Sequence, residues 1–207
     1  MQATSPDDPQ ARASLEQLCQ RYWRPVFAFL CRLEPDPDEA LDLTQAFFER
    51  VLEPSYLAGV DRSKGTFRRF LRTALRRHVN DHRKMANAKK RGRGIDFVPL
   101  DATDAVLSIE ASSNLSPDEA FDRQWQVEQL EQAKARVKAR MIKNDRAERY
   151  RALHHLLTEK PEPGEYEKLA PQLGLTEKAT RLTVDRMRRM LEQELRAVVS
   201  EETHASA

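Results

Sequence analysis

The sequence predicts an all-α protein made of two small helical domains joined by an acidic linker, and three observations carry that expectation. Six glycines in 207 residues and a charged fraction of 33% favour helices over a sandwich or barrel. Apolar residues recur at spacings of three and four along most of the chain, which marks one buried stripe per helix. The period fails between residues 95 and 117, where the chain is acidic, carries serines and holds Pro99 and Pro117. The division expected is a flexible N-terminus over 1–12, a first domain over 13–94, the linker over 95–117, a second domain over 118–198 and a flexible tail over 199–207.

Each element has its own justification. Residues 13–33 place Leu15, Leu18, Cys19, Tyr22, Trp23, Val26, Phe27, Leu30 and Leu33 on one stripe. EPDPDEA then supplies Asp36 or Asp38 as a cap and first-turn acids for ALDLTQAFFERVLE, which Pro54 stops. SYLAGVDRSKG reads as a loop with a short helical start, and a third helix begins at Phe67. Its apolar or neutral-histidine positions, Phe67, Phe70, Leu71, Ala74, Leu75, His78, Val79 and His82, keep the helical period, while Arg68, Arg69, Arg72, Arg76, Arg77, Arg83 and Lys84 line the other face. After the linker, Ser116, Pro117 and Glu119 form a helix-start box, and the helix runs on through Trp125, Leu130, Ala133 and Val137. A further helix holds Tyr150, Leu153 and Leu156 or Leu157, and KPEPGE turns the chain.

The net charge of +2 conceals segregation into blocks. Residues 34–53 carry seven acids against Arg50, residues 62–94 carry thirteen Lys or Arg against Asp81, and residues 95–122 carry seven acids and no base. A binding partner senses the local field, so the middle block implies an acidic ligand. Cys19 and Cys31, with no further cysteine and no matching histidine spacing, read as buried free thiols rather than a metal site. No apolar run approaches a membrane span, and MQATSPDDPQ lacks the blocks of a signal peptide, so a cytoplasmic protein without membrane insertion is expected. His154 and His155 are adjacent and diverge on a helix, and there is no phosphate loop, nucleophile motif or metal cluster. No catalytic residue, metal or cofactor is expected, and the chain does not read as an enzyme.

YEKLAPQLGLTEKATRLTVDRMRRMLEQEL carries the sharpest local pattern. A helix over 165–173 meets a turn at Gly174, where positive φ is needed, and a second helix capped by Thr176. Leu169, Ala170, Leu173 and Leu175 are expected to pack on Ala179, Leu182, Val184 and Met187. This is a helix-turn-helix pattern, whose second helix enters the major groove. Thr176, Glu177, Lys178, Thr180 and Arg181 fall near base edges, while Asp185, Arg186, Arg188 and Arg189 lie further along, the arginines suited to phosphates. A generic helical hairpin would carry the same small residues.

Four features in order, YWRPVFAFL, DLTQAFFERVLE, GTFRRFLRTALRRHVNDHRK and YEKLAPQLGLTEKATRLTVDRMRR, resemble an extracytoplasmic-function sigma factor of bacterial RNA polymerase, of the group with DLTQ followed by two aromatics. The resemblance covers roughly residues 15–198. It implies that 13–94 is sigma region two and 118–198 sigma region four, with no middle domain between them. It implies that Leu41, Asp42, Gln45, Phe48 and Leu52 dock on the clamp coiled coil of the largest polymerase subunit, while region four meets the flap of the second largest. Ala46 stands where relatives commonly have Glu. Lys64, Arg68, Arg69, Arg72, Arg76, Arg77, Asn80, Arg83 and Lys84 are implied to hold the minus-ten element, with a loop over 61–66 receiving an unstacked base. The second helix of the turn motif is implied to read the minus-thirty-five element. Arg77 replaces a common Asn, so base preference does not transfer. Neutralising about five phosphates would give a log-log salt slope of about −4 to −5 on duplex DNA. The acidic linker reads either as a solubilising tether or as a nucleic-acid mimic inside the polymerase. A stand-alone helix-turn-helix regulator is the alternative, and an RNA-binding or nucleic-acid-modifying protein is a further rival.

Overall fold

A computed structural model of the chain describes residues 9–53, 67–88 and 114–205. The loop over 61–66, Lys64 and nearly all of the linker lie outside the described residues. All regular structure described is helical: α1 Pro9–Leu30, α2 Pro37–Leu52, α3 Phe67–Ala88, α4 Pro117–Lys143, α5 Ala147–Leu153 with a 3-10 turn His154–Leu157, α6 Glu165–Gln172 and α7 Glu177–Ala205. No described helix is long and apolar enough to cross a membrane.

The helix starts follow local chemistry. Asp36 caps α2 by accepting from the Asp38 N–H at 3.0 Å, with Pro37 at the first helical position. Ser116 and Glu119 make a reciprocal box at α4: the Ser116 N–H donates to Glu119 Oε2 at 2.8 Å and the Glu119 N–H to Ser116 Oγ at 3.3 Å. The Ser116 hydroxyl and N–H together hold the Glu119 carboxyl below the ordinary carboxylate range.

The described chain falls into two compact units, one running to Gln126 and the other from Val127 to Ala205. The boundary therefore lies within α4, further along than the expected start of the second domain at 118. Periodicity locates a helix but not the partner of each turn. Ala120, Phe121 and Trp125 join the core that α1, α2 and α3 build from residues such as Phe27, Phe47 and Leu75. Trp125 stacks on Tyr22 with ring centroids 4.5 Å apart. Ala133 and Val137 belong instead to the core of the second unit, with Tyr150, Leu153, Leu156, Val184 and Met187.

Two further differences from expectation concern α7 and the thiols. The helix does not end near 198; it continues to Ala205, since SEETHA holds neither Gly nor Pro to stop it. Glu201 is held there by a two-pronged pair with Arg136 on α4, at 2.8 and 2.6 Å. Cys19 and Cys31 are not joined in a disulfide and are only half-buried, and burial pushes the Cys31 thiol up to about 11.

Candidate nucleic-acid interface

The cations of α3 sort into two stripes. Arg68, Arg72 and Arg76, spaced by four, face the first turns of α4. Arg72 lies 3.1 Å from Asp122 and 3.9 Å from Asp118, Arg68 lies 3.7 Å from Asp122, and Arg76 pairs with Asp118. The Arg72 guanidinium also stands 6.0 Å from the centroid of the Phe121 ring. Arg69, Thr73, Arg77, Asn80 and Lys84 form the other stripe, all exposed and within about 80° of arc at the helical turn of 100° per residue. Arg83 donates to the Leu33 carbonyl at 2.8 Å, near the end of α1. Among the expected strand-holding cations, Arg68, Arg72 and Arg76 thus lie in ion pairs within the unit, and Arg83 has a backbone partner.

Energetics decide what holds α4 against α3. Half-exposed ion pairs contribute about 0.2–1 kcal/mol each. Burying a ring such as Phe121, fully enclosed here, contributes about 1.5–3 kcal/mol. The aromatic anchors thus supply most of the docking, and the arginine pairs fix which turn faces which. Sequence reasoning missed this pairing, although the acids at 118 and 122 repeat the four-residue spacing of Arg68, Arg72 and Arg76.

Along α2, Leu41 and Gln45 are half-buried, Asp42 is exposed, and Leu52 is 41% exposed. These four make an outward face of mixed acid, amide and apolar character. Phe48 does not join it: only 6% exposed, it packs edge-on to Phe47 at 5.6 Å and belongs to the core. Thr44 is fully buried, its hydroxyl donating to the Ala40 carbonyl at 2.7 Å. Arg50 lies 3.5 Å from Asp81, a link from α2 to α3.

In the second unit, α6 ends in a Schellman turn. The Leu175 N–H donates to the Ala170 carbonyl at 2.9 Å, the Gly174 N–H to that of Pro171 at 3.2 Å, and Gly174 takes φ 61°. Thr176 caps α7, accepting the Ala179 N–H at 3.2 Å. The buried stripe of α7 runs through Thr180, Val184, Met187 and Leu191, which shifts the expected phase. Thr180, expected near a base edge, is fully buried, and its hydroxyl donates to the Thr176 carbonyl at 3.1 Å. That bond satisfies the hydroxyl and so permits burial. Leu182, expected in the core, is instead 44% exposed.

Glu177, Lys178, Arg181, Arg186 and Arg189 are exposed and Asp185 is half-buried. Arg181 is held in place twice, by Glu177 at 3.0 Å and over the Tyr166 ring at 5.1 Å. Arg188 differs from its neighbours: it donates to the carbonyls of Leu156 at 2.8 Å and Glu159 at 3.0 Å, closing the end of the 3-10 turn rather than reaching outward. His155 lies 2.7 Å from Glu165, whose other oxygen accepts the Glu162 N–H at 2.7 Å. These two partners, His155 first, hold the Glu165 carboxyl below its ordinary range. No group of three or more metal-binding side chains occurs among the described residues.

Comparison with family models, with curated proteins and with solved structures returns no match. The functional reading therefore rests on the residues themselves.

Proposed function

We propose that the chain acts as a sigma factor of the extracytoplasmic-function type, binding bacterial core RNA polymerase and directing it to specific promoters. The observation that carries this reading is the capped helix α7, which follows a Schellman turn and exposes Lys178, Arg181, Arg186 and Arg189. Donors in that arrangement suit base edges and flanking phosphates of a major groove. The arginine face of α3 and the outward face of α2 are the features that a regulator working by α7 alone would leave without a task. In this reading α2 docks on the polymerase through Leu41, Asp42, Gln45 and Leu52. The α3 cations hold the separated strand, and chemistry belongs to the polymerase.

Reconstitution of the full chain with purified bacterial core polymerase tests the proposal. Start-site-specific transcripts from some fragments of a genomic pool are the expected result. Asp42→Ala/Gln45→Ala is expected to weaken core binding about tenfold, on the order of 1.4 kcal/mol, with duplex DNA binding by the same protein unchanged. A chain that binds duplex DNA specifically but ignores core polymerase would instead be a stand-alone helix-turn-helix regulator.

A further inference from the structure

Part of the cationic face of α3 is already occupied. Three of its arginines are already matched by carboxylates, and the matching segment is the start of another helix. Asp118 and Asp122 sit one turn apart on α4 and meet Arg68, Arg72 and Arg76, which are themselves one turn apart on α3. The acids present negative oxygens to guanidinium groups as a run of phosphates would. No base lies between residues 95 and 122, so nothing on the approaching chain offsets that charge.

We propose that the first turns of α4, residues 117–126, are an internal cover for the cationic face of α3. Asp118 and Asp122 compete with nucleic-acid phosphates for Arg68, Arg72 and Arg76. Binding of a single strand across the full face requires these turns to leave. With the cover in place, Arg68, Arg72 and Arg76 are engaged by carboxylates, while Arg77 and Lys84 stand exposed on the outer stripe. The free protein then grips single strands weakly, and full engagement waits on an event that lifts α4, such as assembly with a partner that takes up its aromatic face. The half-exposed ion pairs can exchange for phosphate, and the burial of Phe121 and Trp125 sets the cost of lifting the segment. Phe121 and Trp125 meanwhile return it to its seat.

This inference rests on the nucleic-acid reading of α3, and the experiment separates the two. Full-length protein is titrated against a fluorescent single-stranded oligonucleotide over a range of salt. Asp118→Asn/Asp122→Asn is compared with the unaltered chain and with Glu49→Gln/Glu53→Gln, which removes the same charge away from the cover. The expected result is a roughly tenfold gain in affinity for the first variant alone. Its log-log salt slope should steepen by about 2, as three more phosphates engage single-stranded nucleic acid. In a Trp23→Phe background Trp125 is the sole tryptophan, and its emission should shift to the red on saturation with the oligonucleotide. A gain matched by the control variant, or one without movement of Trp125, overturns the cover. Unchanged affinity in the Asn variant, with binding lost in Arg69→Ala/Arg77→Ala, also overturns it but leaves the strand-binding reading standing. Absence of binding by every variant at low salt overturns both.

Discussion

Gly174 and Thr176 together set the path of the chain into α7, and each acts through a single physical term. An added Cβ at Gly174 meets nothing within 4 Å, so the cost of Gly174→Ala is the left-handed backbone itself, about 1 kcal/mol. Thr176→Ala leaves the Ala179 N–H without its side-chain acceptor and is expected to cost about 1 kcal/mol as well, with Thr176→Ser restoring most of it. Urea unfolding of the full chain, followed by helical signal, reads both. Both features were legible in the sequence because turn and cap chemistry is local. A third residue sets a pH dependence. Burial lowers the His78 pKa, only partly opposed by the backbone of Leu43, and its ring lies edge-on to Phe47 at 5.6 Å. Its folded value therefore lies below the unfolded 6.5, and the unfolded chain takes up the proton first. Stability should fall as pH drops through the window just below 6.5, and His78→Phe should flatten that part of the urea-midpoint profile. Glu119 and Glu165, whose values are depressed, contribute stability above 4.5 that is lost at lower pH, and so act in a separate, more acidic window.

Helices were legible as elements, but the phase of a helix and its partners were less so. The apolar pattern of α7 offered Leu182 to the core, yet the buried position is Thr180, since its hydroxyl is satisfied inside the helix by the Thr176 carbonyl. Hydropathy cannot register that compensation. Phe48 is the converse case: the resemblance implies that it docks on a partner, and packing against Phe47 takes it into the core. SEETHASA has no apolar residue larger than alanine and so reads as a flexible tail, while a distant partner, Arg136 on α4, holds the end of the helix. Removing residues 201–207 should lower the stability of the second unit by about 0.2–1 kcal/mol, the range for an exposed pair, where a flexible tail would contribute nothing. Arg136→Ala should reproduce the loss, and truncation in that background should add little to it.

At the scale of the whole molecule, one helix contributes to two cores, which bears on how the chain unfolds. Phe121 and Trp125 of α4 lie in the first core, and Ala133, Val137 and Met141 of the same helix lie in the second. Each unit has its own enclosed set of large side chains, including Phe27, Phe47 and Leu75 in one and Leu153, Leu156 and Met187 in the other. Separate cores predict separate cooperative transitions, so unfolding should depart from a two-state form. Phe121→Ala opens a cavity in the first core at a cost of about 3–5 kcal/mol and should move one calorimetric transition. Met187→Ala, at about 2–5 kcal/mol, should move the other. Because the boundary at 126 and 127 falls inside continuous helix rather than in an irregular linker, any coupling has a defined route. Replacing Gln126 by Gly lowers helix propensity by about 0.5–1 kcal/mol without touching either core cluster. If the two transitions are independent, that substitution leaves their spacing unchanged. Should Phe121→Ala shift both transitions together and Gln126→Gly relieve the shift, the helix carries stability from one core to the other. The two units would then have to be treated as a single cooperative fold.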